Sequence, residues 1–454
     1  MCVAHIVVDI LGMNADFFSG LNKQQLTIIG VVGILILLVI LGLTGIIPIF
    51  KSSQSLDPNF PTGKITLQVW GVGDEAAAFK GISESYQAQP VSKSVSVQYT
   101  KFDSVTAYEK ALVTALAEGQ GPDIFMVKNS WLQKDAAKLQ PAPVGMVSPL
   151  MVSQAFPQAV YKDMVLTASD NQAYVFALPL HFDALALLYN KDIFNTKAII
   201  YPPKTWDEVV GLIPTLREMD AQKNIQASPI ALGTARGVSN FDDILPLLMM
   251  QSGATLNTAN GVVFDDPAQK ATSFYLQFAN PVNPYYSWSD TMGSARDAFA
   301  AQKVSMLIDT HSALAEIKSK NNFIQIGVAP VPQLSARPQD AQTLASYWGL
   351  GVSRQSKQAY VAWHFIRFAT MTPDVSKAYV QATQKLPALL SLIDADKNGE
   401  NGAFLKSFLI ARTWIRPDDE KMKDVLGRMI DNVATGKTTL SQGARAAQEE
   451  INGN

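Results

Sequence analysis

The segment Leu26–Phe50, LTIIGVVGILILLVILGLTGIIPIF, carries no charged side chain from end to end. As a helix rising ~1.5 Å per residue it exceeds the ~30 Å hydrocarbon core of a bilayer, so it is long enough to span with some tilt. A cleaved signal peptide fits less well. Its apolar region is usually ~7 to 15 residues, and the exit IIPIFKSS lacks a small-residue cleavage site. The sequence therefore predicts an uncleaved transmembrane anchor at 26–50. A short N-terminal segment, 1–25, precedes it, and the Ser/Pro/Gly/Asn-rich linker 51–63 follows. Lys23 before the run and Lys51 and Lys64 after it barely weigh on orientation. Met13 is an alternative start.

Composition then excludes several classes for the rest. With 48% hydrophobic residues the chain has ample core, and a net charge of −2 without basic runs offers nothing to nucleic acid. Cysteine occurs once, as Cys2, so no disulfide, thiolate metal site or lipidated cysteine follows the apolar run.

From Lys64 the period of the apolar pattern alternates. In ITLQVW, Ile65, Leu67 and Val69 recur every second residue; in DEAAAFKGISESYQ, Phe79, Ile82 and Tyr86 share one helical face. SVSVQYT, AYEKALVTALAEG and IFMV repeat the sequence of strand, helix and strand, with Gly119 as a helix stop. Such βαβαβ order predicts an α/β fold with a mainly parallel sheet covered by helices. Farther on, Thr205 and Glu208 form a capping box before the apolar face Trp206, Val209, Val210, Ile213 and Leu216. KVSMLID and IQIGVAP are predicted as strands, the segment from Ser356 as a helix, and the tail from Asp418 as helical with a break at Gly436. A chain of this length exceeds one comfortable core, so two lobes are expected.

Catalytic and metal motifs are missing. The four histidines are scattered, no nucleophile elbow occurs, and the glycine that a phosphate loop ending in Gly436–Lys437–Thr438 requires is replaced by Asp431. Asp394, Asp396, Asn398 and Gly399 match the first half of a calcium loop, yet its twelfth position is Leu405. An Asx-turn surface loop is the preferred reading there, and no metal or cofactor is expected.

The segments GPDIFMV, ALPLHFDALALLYNKDIF, PPKTWDEVV, AFAAQKVSMLIDTHSA and SYWGLGVSRQSKQAYVAWHFIRFAT stand in one order along the chain. Together they resemble the extracellular solute-binding proteins of ABC importers, in the sugar-binding family that includes maltose-binding protein. The resemblance spans nearly all of residues 64–454. It implies a two-lobed periplasmic-binding-protein-like (type II) fold with solute held between the lobes and delivered to an ABC permease. Lobe one would hold 64–182 and 331–413, and lobe two 183–330 and 414–454. With the anchor at 26–50 in the lipid bilayer, the large domain would lie on the extracytoplasmic side of the cell membrane.

Sugar sites pair carboxylates and amides with flat aromatic faces. Asp183, an acid within the apolar run FALPLHFDALALLYN, matches a position where sugar-binding relatives carry a ligand-contacting acid; a hinge salt bridge is its rival role. Asn129 and Trp131 follow the GPD strand into the expected cleft, while Asp123 is expected to satisfy turn amides. Where relatives place a stacking ring, this chain has His311 and Ser312, with Asp309 just before. Trp70, Trp288 and Trp348 are further platform candidates, and Asn240 and Asp242 further polar ones. The expected solute is a mono- or oligosaccharide, with a polyol as an alternative. Two other functions compete: an anchored glycoside hydrolase using Asp123 and Asp183, and a solute-binding sensor or adhesion module uncoupled from transport.

Overall fold

The computed structural model describes residues 60–61, 63–258, 261–335, 337–416 and 418–453. The predicted anchor, the N-terminal segment and most of the linker lie outside the described residues. Among the described residues no helix is long and apolar enough to cross a membrane. The chain divides into two compact units, Met1–Pro61 and Thr62–Asn454. Every described strand and helix belongs to the second.

In chain order its three larger sheets are built from β1 (Ile65–Val72), β2 (Val95–Phe102), β3 (Ile124–Lys128), β4 (Leu139–Gln140), β5 (Leu178–Pro179), β6 (His181–Ala184), β7 (Ala186–Asn190), β8 (Glu218–Met219), β9 (Ile225–Ile230), β10 (Val304–Asp309), β11 (Ile326–Ala329), β12 (Thr343–Ser346), β13 (Trp348–Ser353), β14 (Leu386–Pro387) and β15 (Ala411–Arg412). The first sheet runs β2-β1-β3-β13-β4, with β5 also on β13. Its strands β1, β2 and β3 are parallel, as their alternation with helices requires. Leu67 and Val69 of β1 are fully buried, and the Ala76–Gln87 helix buries Phe79, Ile82 and Tyr86 beside β2, with Phe79 stacked on Tyr99 at 4.0 Å. The Val105–Ala117 helix opens on Ser104, whose Oγ accepts the Ala107 N–H at 3.1 Å, and ends just before Gly119 at φ 71°.

The second sheet runs β8-β9-β10-β7-β11. Here β9 and β10 are parallel, but β7 runs antiparallel to both of its neighbours. The first sheet carries the same irregularity, since β13 is antiparallel to β3. Apart from the two-residue edge strand β8, which pairs antiparallel with β9 as a local hairpin, the exceptions have one origin. β7 follows directly from β6 and β13 from β12, and β6 and β12 are antiparallel partners in a third sheet of order β14-β6-β12-β15. A strand arriving from that connecting sheet enters from the edge toward which the local βα units point, so it must run against them. Strand–helix alternation reports only the local units, and the two incoming strands escape it.

FALPLHFDALALLYN thus touches all three sheets in turn: β5 on the first, β6 in the connecting sheet, β7 in the second. The tail forms helices Asp419–Ala434 and Leu440–Asn452, separated around Gly436 at φ 70°. They pack with the second sheet's helices, where Asn452 Oδ1 accepts the Val262 N–H and Gln448 Oε1 that of Phe264. Asp394 and Asp396 fall in the helix Leu390–Asp396, with Asp394 paired to Lys397 at 2.8 Å.

Candidate functional site

The C-terminal ends of parallel strands are where loops are free to meet a ligand. Beside those ends in the first sheet lies a pocket of about 380 Å³ that also takes in the start of the Phe241–Gln251 helix and the start of the Asp419–Ala434 helix. Its walls carry six acids, Glu109, Asp242, Asp243, Asp418, Asp419 and Glu420, against three bases, Lys128, Arg416 and Lys423.

Arg416 organises these charges. It is 6% exposed and meets Asp242 at 3.2 Å, Asp243 at 2.9 Å and Asp419 at 3.0 Å. Burial opposes its charge, but these three carboxylates outweigh burial and raise its pKa. Burial also pushes the Asp242 carboxyl up, helped by Asp243, while Arg416 and Lys423 pull it back. From the first-sheet side, Lys128 at the end of β3 reaches Asp419 at 2.7 Å, and Trp131 Nε1 donates to the same carboxylate at 3.1 Å. Thr106 Oγ1 donates to Glu420 at 2.5 Å. Side chains attached to the two large sheets therefore meet directly across the pocket.

An aromatic row extends from it along the edge of the first sheet. Trp131 meets Trp348 edge-on at 5.3 Å, Trp348 meets Tyr108 at 5.9 Å, Tyr108 meets Phe102 at 5.4 Å and Phe102 meets Trp70 at 5.2 Å. Trp131 and Tyr108 are buried, whereas Trp348, Phe102 and Trp70 are half-buried and keep ring surface accessible. The row follows from register: Trp348 stands opposite Lys128 at the end of β3, and Phe102 ends β2.

Of the residues singled out in the sequence, Trp131, Asn240 and Asp242 line the pocket, and Trp348 and Trp70 belong to the row that leads from it. The others serve as braces. Asn129 is 5% exposed; its Nδ2 donates to Ala345 O and Thr413 Oγ1, and its Oδ1 accepts the Tyr347 N–H. Asp309 is clamped by Arg296 through two bonds of 2.8 Å and accepts from Asn240 Nδ2, so it positions a pocket residue from behind. Trp288 is wholly buried, and the His311 ring stands edge-on to Phe404. Asp123 accepts from the Gln68 N–H of β1 and from Ser356 Oγ beyond β13, so it ties the start of β3 to distant segments rather than satisfying the amides of its own turn.

Asp183 sits on β6, where it accepts backbone N–H groups of His311 at 2.8 Å, Ala184 at 3.0 Å and Ser312 at 3.1 Å. Burial raises its pKa while Ser312 and His311 lower it. The acid thus ties the connecting sheet to the N-terminus of the Ala313–Lys320 helix, a place suited to negative charge. Its neighbour His181 joins Tyr379, Lys385 and the buried Asp74, which pairs with Lys385. Burial and Lys385 hold the His181 pKa down at about 3. Sequence reasoning did not single out Arg416, Asp419 or Lys128 as site residues. Asp242, Asp243 and Lys128 lie far from Arg416 and Asp419 along the chain, and RPDDEKMK, which holds Arg416 and Asp419 three residues apart, has the composition of an ordinary solvated helix start.

Residues 73–373 match the family model described as bacterial extracellular solute-binding protein. The chain belongs to that family. Among curated relatives, the maltotriose-binding protein of Pyrococcus abyssi (strain GE5 / Orsay) is 23% identical over 383 residues, covering 81% of this chain and 76% of its own. Among solved structures, the sugar-binding protein MalE from Xanthomonas citri is 18% identical with a TM-score of 0.69, over 86% of this chain and 96% of its own. A solute-binding protein from Thermotoga lettingae bound with α-D-tagatose is 21% identical with a TM-score of 0.62, over 86% and 99%. The fold is thus the two-lobed α/β fold of these proteins, and the relatives are binding proteins rather than enzymes.

Proposed function

We propose that this protein captures a carbohydrate between its two lobes and delivers it to an ABC permease. The observation that carries the reading is the pocket at the edge of the first sheet, where acids and the Asn240 amide stand beside an aromatic row. Carboxylates accept from sugar hydroxyls, and flat rings cover the C–H faces. The relatives' own ligands, maltotriose and tagatose, are of this class. Lobe one is assigned 64–182 and 331–413, lobe two 183–330 and 414–454. Asp183, Asn129, Asp309, His311 and Trp288 are assigned to holding the cleft's shape, while Trp131, Trp348, Trp70, Asn240 and Asp242 face the solute.

Residues 26–50 are assigned as the anchor that keeps the binding domain on the extracytoplasmic face, near the permease. Tethering raises its effective concentration there. Deleting 26–50 should move the protein from the membrane fraction to the soluble one.

The test of the sugar reading is thermal unfolding against a panel of mono- and oligosaccharides, polyols and amino acids. A ligand at about 100 times its dissociation constant adds ~2.7 kcal/mol of stability, readily seen as a raised melting temperature. A shift by amino acids alone would overturn the reading.

A further inference from the structure

A larger pocket, of about 510 Å³, lies away from the cleft and shares no lining residue with it. Its floor is Arg412 on β15, which pairs with β12 of the connecting sheet. One wall is the end of the Phe241–Gln251 helix and the other is formed by residues 333–335 and 339–342 with Arg337, just before β12. The walls are fastened by side-chain amides. Gln251 Nε2 donates to Gln333 Oε1 at 3.1 Å, Gln342 Nε2 donates to Met250 O at 3.0 Å, and Trp206 Nε1 holds Gln251 Oε1 at 2.7 Å.

The charge of this pocket is unbalanced. Arg412 is half-buried, its Nη1 donates to Ala411 O at 3.1 Å, and among the described residues no carboxylate lies within ion-pair distance of it. Arg337 at the rim pairs with Asp340 at 2.7 Å, so two arginines face one aspartate. The helix end at Gln251 contributes a partial negative charge of about one half, which leaves a positive excess. The Met250 carbonyl there already accepts from Gln342 and from the Gly253 N–H. A guanidinium withdrawn from water without a counter-charge is costly, and its planar fork fits a phosphate or carboxylate.

We propose that this pocket is a second ligand site, taking a small molecule that carries a phosphate or carboxylate group, with Arg412 as the anchor. The surrounding amides would bond the polar body of such a ligand, and the volume lies in the range of small-molecule sites. Because the pocket joins a lobe-two helix end to the connecting sheet, a ligand there meets surfaces that shift when the lobes move.

The test titrates inorganic phosphate and, separately, citrate into the full chain at constant ionic strength, reading the melting temperature. At least one of the two should give a saturable rise, and which one identifies the carrier group. Arg412→Met should weaken that response ~10-fold or more, the loss expected for charge-assisted bonds. Gln339→Glu, an exposed change at the rim, should weaken it too while leaving the unliganded protein's melting temperature unchanged. No saturable response in the wild type, or an unchanged affinity in both variants, would overturn the proposal.

Discussion

Because Arg416 is 6% exposed and touches three carboxylates, replacing it with methionine leaves, among the described residues, Asp243 without a cation, Asp242 with only the exposed Lys423 at 3.8 Å, and Asp419 with only Lys128. Breaking a buried ion cluster from one side costs about 3–5 kcal/mol. Denaturant unfolding of Arg416→Met at pH 7 should show a loss of that order, shrinking at acid pH as Asp242, whose carboxyl burial already pushes up, takes up a proton. A loss below ~1 kcal/mol would mean the acids are solvated instead. A second buried acid can be followed directly. Burial holds the Asp163 pKa up at about 6, although Thr413, Tyr347 and Asn129 lower it by hydrogen bonding. Between the unfolded value of about 3.8 and the folded one, the native state keeps a proton that the unfolded state has lost. Stability from this group therefore falls as pH rises through that window, with a cost of at most about 3 kcal/mol complete above pH 6. Asp163→Asn should remove that component, so the stability difference between variant and wild type should change between pH 4 and 6 and be flat above 7. At this scale the sequence revealed which acids are out of place but not what satisfies them. Asp183 was visible as a charge in an apolar run, while its amide partners at His311 and Ser312 are more than a hundred residues away.

Elements were far more legible, because the forces that start and end them are local. The helix Trp206–Leu216 buries Trp206, Val209, Ile213 and Leu216, as its spacing implies. Its cap differs from the expected box in one bond. Thr205 Oγ1 accepts the Glu208 N–H at 3.2 Å, but Glu208 Oε2 accepts from the Lys204 N–H rather than from that of Thr205. The full reciprocal box occurs instead at Thr439 and Gln442. Thr205→Ala should cost about 1 kcal/mol through the lost cap. A melting temperature lowered by a few degrees, with an unchanged denaturant slope, would match. No change would show that the Glu208–Lys204 bond holds the helix start unaided. What the local pattern missed was the direction of β7 and β13, which is set by the connecting sheet they leave and not by the residues they contain.

At the scale of the whole molecule, the proposed capture of a carbohydrate makes function depend on how the two lobes balance between open and closed. The pocket is bridged in this conformation by Thr106 to Glu420 and by Lys128 and Trp131 to Asp419, each joining the first sheet's side to the Asp419–Ala434 helix. Bonds made only in the closed state lower the free energy of closure and so tighten the apparent affinity for whatever the lobes enclose. Thr106 is the simplest to remove, being exposed and bonded through its hydroxyl. Thr106→Val deletes the donor and keeps the shape. A net hydrogen bond of about 0.5–1.5 kcal/mol corresponds to a ~2- to 10-fold weaker affinity, with the unliganded stability little altered. Calorimetric titration with the sugar that raises the melting temperature measures this directly. Equal affinities in variant and wild type would mean that the Thr106–Glu420 bond survives opening, and would leave the balance to Asp419 and its partners nearer the crossing segments.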